Sequence, residues 1–299
     1  WITQRLRGGA QACLLADEMG LGKTLQSLSA DELLLQDQGG QVLVVCPTSL
    51  IANWNLEIEK FLPHRQVHIL HGPKRWDDEA GIDAADVLIT SYALMARDEV
   101  KLGERQFAAA VLDEASAIKN PETKNAKASR RLNAAHRIAL TGTPIENSVR
   151  ELWSIFEFLV PGYLGTRSDF KERYEAPVAS GAAPRPVFER LRQRIQPLLL
   201  RRLKETVAKD LPPKIEQVRF CELSPSQTQL YEAILRESRQ KIDDALSKKS
   251  EGQARMTMLT ALLRLRQVCC HPQLLNLEDE AKLTSGKLEL FEQLRDEAL

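Results

Sequence analysis

The sequence is short of the features that would settle its class by composition alone. It has no excess charge: 41 Lys and Arg stand against 41 Asp and Glu. The basic footprint usual in nucleic-acid-binding domains is therefore missing from the chain as a whole. No apolar run approaches the roughly 18 residues a membrane span needs, and the first residues lack the basic-then-apolar order of a signal peptide. Cysteine is scarce and unpaired in pattern. Cys13, Cys46, Cys221, Cys269 and Cys270 are odd in number, and no C-x-x-C pair occurs. That argues against a disulfide framework or a zinc site and fits a reducing compartment. Cys269-Cys270-His271 is metal-like only in composition, because adjacent helical residues point in different directions; structural cysteines are expected there. The chain opens on Trp1 rather than Met, which suggests a piece of a longer protein.

What is present is an alternation. Short apolar runs rich in Val, Ile, Leu and Ala occur at Cys13–Ala16, Val42–Cys46, Val67–Leu70, Val87–Thr90, Ala109–Leu112 and Ile138–Leu140. Each is bounded by turn-forming or charged residues, as buried strands of a parallel sheet are. Helical patterns lie between several of them, at Thr24–Gln36, Leu50–Phe61 and Thr123–Asn133. The expected class is α/β, with helices on both faces of the sheet. Beyond about residue 150 the texture turns helical. Glu151–Val160 is amphipathic and stops at Pro161-Gly162; Ala176–Pro186 reads as a loop, and Val187–Leu200 as a basic helix. One more strand is expected at Val218–Leu223, followed by long helices at Ser226–Leu246 and Gln253–Cys270 and a last one from Ser285. In those helices Tyr231, Ile234, Leu235, Leu259, Leu262 and Leu263 read as helix–helix packing. The basic cluster Arg185, Arg190, Arg192, Arg194, Arg201, Arg202 and Lys204, relieved only by Glu189, reads as a solvated face or a binding patch.

Three stretches carry chemistry. "ADEMGLGKT" (16–24) joins a strand to a helix. Its glycines let backbone N–H groups approach phosphate oxygens, and the helix N-terminus adds a positive dipole end. Lys23 would reach the β- and γ-phosphates and Thr24 would hold Mg²⁺. Asp17, however, occupies the place where the phosphate-loop pattern G-x-x-x-x-G-K-T requires glycine. The plain alternative is a glycine-rich turn with an exposed lysine. "AAAVLDEAS" (108–116) is a strand ending in Asp113-Glu114, costly to bury unless the acids meet a cation or donors. Asp113 would complete the Mg²⁺ shell and Glu114 would polarise the attacking water; the alternative is an acidic cap on the next helix. "LTGTP" (140–144) is a strand ending in a hydroxyl-glycine turn that can sense a γ-phosphate through Thr141, Gly142 and Thr143; standing alone, it would read as an ordinary tight turn.

At these residues the sequence resembles the first ATPase lobe of the Swi/Snf-type DNA translocases of helicase superfamily two. The family's loop reads D-E-M-G-L-G-K-T, which removes the anomaly of Asp17. Further stretches match in order: "VVCPTSLIANW" (44–54), "LITSYALM" (88–95), "LDEASAIKNPETKNAKASRRL" (112–132), "RIALTGTPIENSVRELWSIFEFLVPGYLG" (137–165), "LLRRLKETVAKDLPPK" (199–214) and "LRQVCCHPQLL" (265–275). The resemblance covers nearly the whole chain. It implies a RecA-like P-loop lobe over residues 1–160, with a central, mainly parallel sheet. A helical, family-specific region would follow over 161–299, its strand at about 216–223 rejoining the lobe. Ser116 departs from the His or Gln of many relatives, which bears on coupling between lobes rather than on nucleotide binding.

The resemblance further implies ATP and Mg²⁺ as cofactors, held by Asp17, Met19, Gly20, Leu21, Gly22, Lys23 and Thr24 together with Asp113 and Glu114. Ser116, Thr141, Gly142, Thr143, Arg201 and Arg202 would couple the site to a second RecA-like lobe beyond Leu299. An adenine-contacting motif would precede Trp1. Pro47, Thr48, Asn53, Thr90, Ser91, Lys119 and Asn120 would touch the phosphate backbone of double-stranded DNA without reading sequence. Trp54 shares helical spacing with Leu50 and Phe61 and reads as core. A DNA-bound protein target is an expected partner and a membrane is not. The compact, Arg/Ala/Leu-rich chain suggests a bacterial nucleoid setting, or a nuclear one in a eukaryote. Rival readings are a strand-separating helicase and, for this piece alone, a catalytically silent interaction module.

Overall fold

The computed structural model describes residues 1–143, 149–179, 185–210, 212, 215–247, 250–275 and 284–298. The chain divides into two compact units, Trp1–Pro213 and Lys214–Leu299. In the first unit the strands are β1 (Ala12–Leu15), β2 (Val42–Cys46), β3 (Val67–Leu70), β4 (Val87–Ser91), β5 (Gln106–Leu112), β6 (Asn133–Leu140) and β7 (Leu199–Leu200). They form one sheet in the order β3-β4-β2-β5-β6-β1-β7, with every pairing parallel. All six strands expected between residues 13 and 140 are present, each within a few residues of the apolar run that marks it.

Those runs are continuous because the sheet is covered on both faces. Successive residues alternate between two cores: Leu14, Leu43, Val45, Ala110 and Leu112 face one layer. Cys13, Leu15, Val42, Val44, Cys46 and Val111 face the other. Period-two geometry sends neighbours to opposite sides, so both neighbours must be apolar. The helix Ile51–Phe61 buries Ile51, Trp54 and Ile58 against the second layer. The helix Val149–Leu159 buries Leu152, Trp153, Ile155, Phe156 and Phe158 against the first. Arg137 of β6 ties that helix end down: it donates to the Phe158 carbonyl at 2.7 Å and the Leu132 carbonyl at 2.8 Å.

Four expectations for the second half are corrected. The boundary falls after Pro213 rather than at residue 160. The reason is that the helix Arg185–Ile195 buries Leu191 and Ile195 in the first layer, and β7 joins the sheet beside β1. The basic helix thus ends at Ile195, short of Leu200. The strand expected at Val218–Leu223 does not form: residues 215–224 carry no regular structure, and Phe220 is 91% exposed. Alternating apolar residues there have no strand to pair with. Of the loop at Ala176–Pro186, Ala176–Ala179 is a helical turn and Arg185 already opens the next helix; residues 180–184 lie outside the described residues.

The second unit is built on the helices Pro225–Ser247 and Glu251–Cys270, which pack on each other through Ile234, Leu265 and Val268. Gln227, fully buried, ties three segments: its amide donates to the Val268 carbonyl at 2.7 Å and accepts from the Ser224 and Gly286 N–H groups at 3.0 Å each. Tyr231 and Leu235 flank this core, as expected. Leu259, Leu262 and Leu263 do not belong to it, being 58–64% exposed. The inward seam of that helix is Ala254, Ala261, Leu265 and Val268, and the three leucines lie off it. Cys269 and Cys270 are half-buried and Cys221 is exposed. No helix among the described residues is long and apolar enough to cross a membrane.

Candidate nucleotide-binding site

The first unit gathers its polar motifs at the carboxyl ends of adjacent strands. β1 runs into the glycine loop, β6 ends at Leu140-Thr141, and β5 ends at Asp113, with β6 lying between the other two. In open parallel sheets this edge is where ligands bind. Gly20 (φ +85°) and Gly22 (φ +72°) take left-handed backbone conformations that L side chains rarely adopt. Gly22 caps the helix Lys23–Gln38, which has neither a side-chain cap nor an acidic residue in its first turn. Its leading N–H groups are thus available to an anion. The Lys23 ammonium donates to the carbonyls of Asp17 (2.9 Å) and Glu18 (3.3 Å) across the loop. Gly142 sits against it: a Cβ there would come 4.0 Å from Lys23 Nζ and 3.2 Å from Met19 Cγ. Thr141 is buried, and its hydroxyl accepts from the Thr143 N–H at 3.2 Å. Residues 144–148, with the rest of that motif, lie outside the described residues.

Asp113 is held from several sides. Its Oδ2 accepts from Trp54 Nε1 at 2.8 Å and its Oδ1 from the Glu114 N–H at 2.9 Å. The Tyr92 hydroxyl donates to its backbone carbonyl at 2.7 Å. Trp54 is fully buried, as its spacing requires, and it also orients this carboxylate. Helical periodicity could reveal the first role and not the second, since the partner lies 59 residues away. Burial, aided by Asp113, pushes the Cys46 thiol up to about 12. Burial, then Asp113, raises Tyr92 well above the ordinary tyrosine range. Both therefore stay neutral beside the carboxylate. Glu114 has a left-handed backbone (φ +49°), the one such non-glycine among the described residues. Conformations of that kind cost about 1–3 kcal/mol and gather at working sites. Ser116 donates its hydroxyl to the Glu114 carbonyl at 3.3 Å.

Asp17 is the residue whose sequence reading changes most. Its carboxylate is 0% exposed and is bound by Arg202: the backbone N–H at 2.9 Å, Nε at 3.1 Å and Nη2 at 2.5 Å. Arg202 Nη2 also donates to Gln26 Oε1 at 2.8 Å, and Gln26 Nε2 holds the Leu21 carbonyl at 2.9 Å. Asp17 is thus a strut of the loop and not a phosphate contact, as a carboxylate must be beside an anion. Parallel pairing continues past β7, with the Ala16 N–H on the Leu200 carbonyl (2.7 Å) and the Glu18 N–H on the Arg202 carbonyl (3.0 Å). Arg202 serves the glycine loop, whereas Arg201 is exposed.

The residues expected on DNA separate into two groups. Thr48, Asn53 and Asn120 are exposed and Pro47 is half-buried. Thr90, Ser91 and Lys119 are buried. Thr90 donates to the Leu70 carbonyl at 3.2 Å, and Ser91 caps the helix Tyr92–Arg97. The Lys119 ammonium is 3.6 Å from the Glu151 carboxylate. These three side chains are committed inside the fold, and the exposed side chains of the set are Thr48, Asn53 and Asn120.

The SNF2-related domain model matches residues 1–274. The SWI2/SNF2 ATPase core of Sulfolobus solfataricus in complex with double-stranded DNA is 37% identical, with a TM-score of 0.66 over 99% of this chain and 62% of that one. A putative ATP-dependent helicase/translocase of Bacillus subtilis, YwqA, is 39% identical over 98% of this chain and 32% of its own length. The TATA-binding protein-associated factor MOT1 of Saccharomyces cerevisiae is 35% identical over 87% of this chain and 15% of its own. The chain thus spans about a third or less of the curated relatives it matches. With that domain model matched over residues 1–274 and a relative 39% identical over 98% of the chain, the chain belongs to the SNF2-related family.

Proposed function

We propose that the chain is the ATP-binding lobe of a motor that tracks along double-stranded DNA. The observation that carries this reading is the convergence of the glycine loop, Asp113-Glu114 and Gly142 at the carboxyl ends of β1, β5 and β6. Lys23 and the N–H groups of the loop bind and orient the polyphosphate. The donor set fits magnesium: the Thr24 hydroxyl and a carboxylate pre-oriented by Trp54 are hard oxygen ligands. Magnesium, when bound by them, neutralises charge that develops on the phosphate oxygens. Glu114 takes the proton of the attacking water; it stands at the N-cap of the short helix Ala115–Ile118, but its side chain makes no capping hydrogen bond there. Gly142 lies beside Lys23, and with Thr141 and Thr143 it carries the state of the γ-phosphate towards a second RecA-like lobe that completes the site. Thr48, Asn53 and Asn120 are exposed beyond the ends of neighbouring strands β2 and β5 and meet the DNA backbone. Remodelling of a DNA-bound protein follows if the motor pulls against it; the setting is a nucleoid or a nucleus.

The named helicase/translocase relative keeps strand separation as the second reading. A form extended through the second lobe decides between them. The expected result is ATP hydrolysis stimulated by duplex DNA, displacement of a triplex strand, and no unwinding. Glu114→Gln lowers turnover by at least about a hundredfold, a typical general-base contribution, yet still binds ATP, whereas Lys23→Ala lowers turnover and weakens ATP binding because it removes a phosphate contact. Turnover indifferent to DNA, or brisk unwinding, overturns the proposal.

A further inference from the structure

The segment after β7 brings a second lysine to the glycine loop. Lys204 Cε and Nζ each lie 3.2 Å from where a Cβ on Gly20 would stand. The Lys204 backbone N–H donates to Glu18 Oε2 at 2.7 Å, and two residues earlier Arg202 is locked onto buried Asp17. The strand-like pairing of Glu18 with Arg202 fixes the register between the two segments. Lys204 is therefore placed by backbone and side-chain contacts made by its neighbours and its own main chain, none of which uses its ammonium. Among the described residues that ammonium has no carboxylate within ion-pair distance. A cation held against a glycine, beside a helix N-terminus free of acid, adds to the field that Lys23 provides.

We propose that Lys204 is a second phosphate ligand of this site and contacts the polyphosphate chain over Gly20. The Asp17–Arg202 pair is the strut that delivers it. This rests on the reading of the loop as an ATP site.

The test is nucleotide affinity of this chain, measured by fluorescence titration with ATP and separately with inorganic tripolyphosphate. Lys204→Ala is expected to weaken both by about tenfold, a typical loss for one charge-assisted contact. Lys204→Arg should hold both within about threefold, because the charge is kept. The thermal midpoint without ligand should be unchanged in both variants, as the backbone hydrogen bond to Glu18 remains. Equal ATP binding by Lys204→Ala and the parent overturns the proposal. So does a loss for ATP with none for tripolyphosphate, which would put the lysine on the base or ribose. Failure of the parent itself to bind ATP would count instead against the nucleotide reading.

Discussion

Asp17 shows how one residue can look wrong in the sequence and be required in the fold. A fully buried carboxylate is costly unless it is paired and hydrogen-bonded, and Arg202 and Gln26 do both. The two halves of the pair are not equivalent. Arg202 is 38% exposed in its side chain and can turn to water, whereas Asp17 cannot. Arg202→Met should therefore destabilise the first unit by about 2–4 kcal/mol, because it leaves a buried charge poorly matched. Asp17→Asn keeps an acceptor for the Arg202 N–H and should cost about 1 kcal/mol. Urea unfolding followed by tryptophan fluorescence measures both. Equal losses would mean that the charge on Asp17 is not what Arg202 neutralises. None of this was legible locally, since 185 residues separate the partners. The lysine, the glycines and the paired acids were legible because their chemistry is carried by residue type and by short spacing.

At the scale of elements, parallel strands announce themselves because burial on both faces forbids polar residues over four or more positions. That is why Val42–Cys46 reads correctly. β7 was hidden because Leu199-Leu200 is only two residues long and follows a helical period without a break. The alternation at Val218–Phe220 misled for the opposite reason: it has the pattern of a half-buried strand and no partner among the described residues. The helix Lys23–Gln38 carries another local conflict. Asp31 is buried with only Ser27 donating to it, at 3.3 Å, and burial pushes its carboxyl up to about 8. The next residue, Glu32, is held down to about 2, chiefly by its hydrogen bonds from Arg65. The signs are opposite. A raised folded-state pKa means that the native protein keeps a proton the unfolded chain releases, so Asp31 favours folding at low pH. That contribution is lost as pH rises from about 4 to about 8. Glu32 favours folding above its unfolded pKa and loses its effect below about 4. Asp31→Leu should thus gain stability over the parent steadily between pH 5 and about 8, measured as the difference in urea midpoint at each pH. A difference that stays flat would show that Asp31 ionises natively as it does in the unfolded chain.

At the scale of the molecule, the two units differ in how much apolar surface each encloses. The first has two large cores on either side of one sheet, built from every strand except the short β7. The core cluster of the second, among the described residues, is Ile234, Leu265 and Val268, with a Gln227 hydrogen-bond hub beside it. Cooperative stability follows enclosed apolar area, and each unit must supply its own. Glycine-loop geometry accordingly belongs to the stable unit, where the strand ends that carry Asp113 and Thr141 cannot shift independently. Native-state hydrogen exchange should resolve the difference. Amides in Pro225–Ser247 and Glu251–Cys270 are expected to open at free energies at least about 2 kcal/mol below those of β2 and β5. Saturating ATP with magnesium should raise protection at the glycine loop and β5 and leave those two helices unchanged, because a ligand stabilises only the unit that binds it. Exchange of all these amides through one common opening would show instead that the chain unfolds as a single cooperative body, and that nucleotide at the loop is felt throughout.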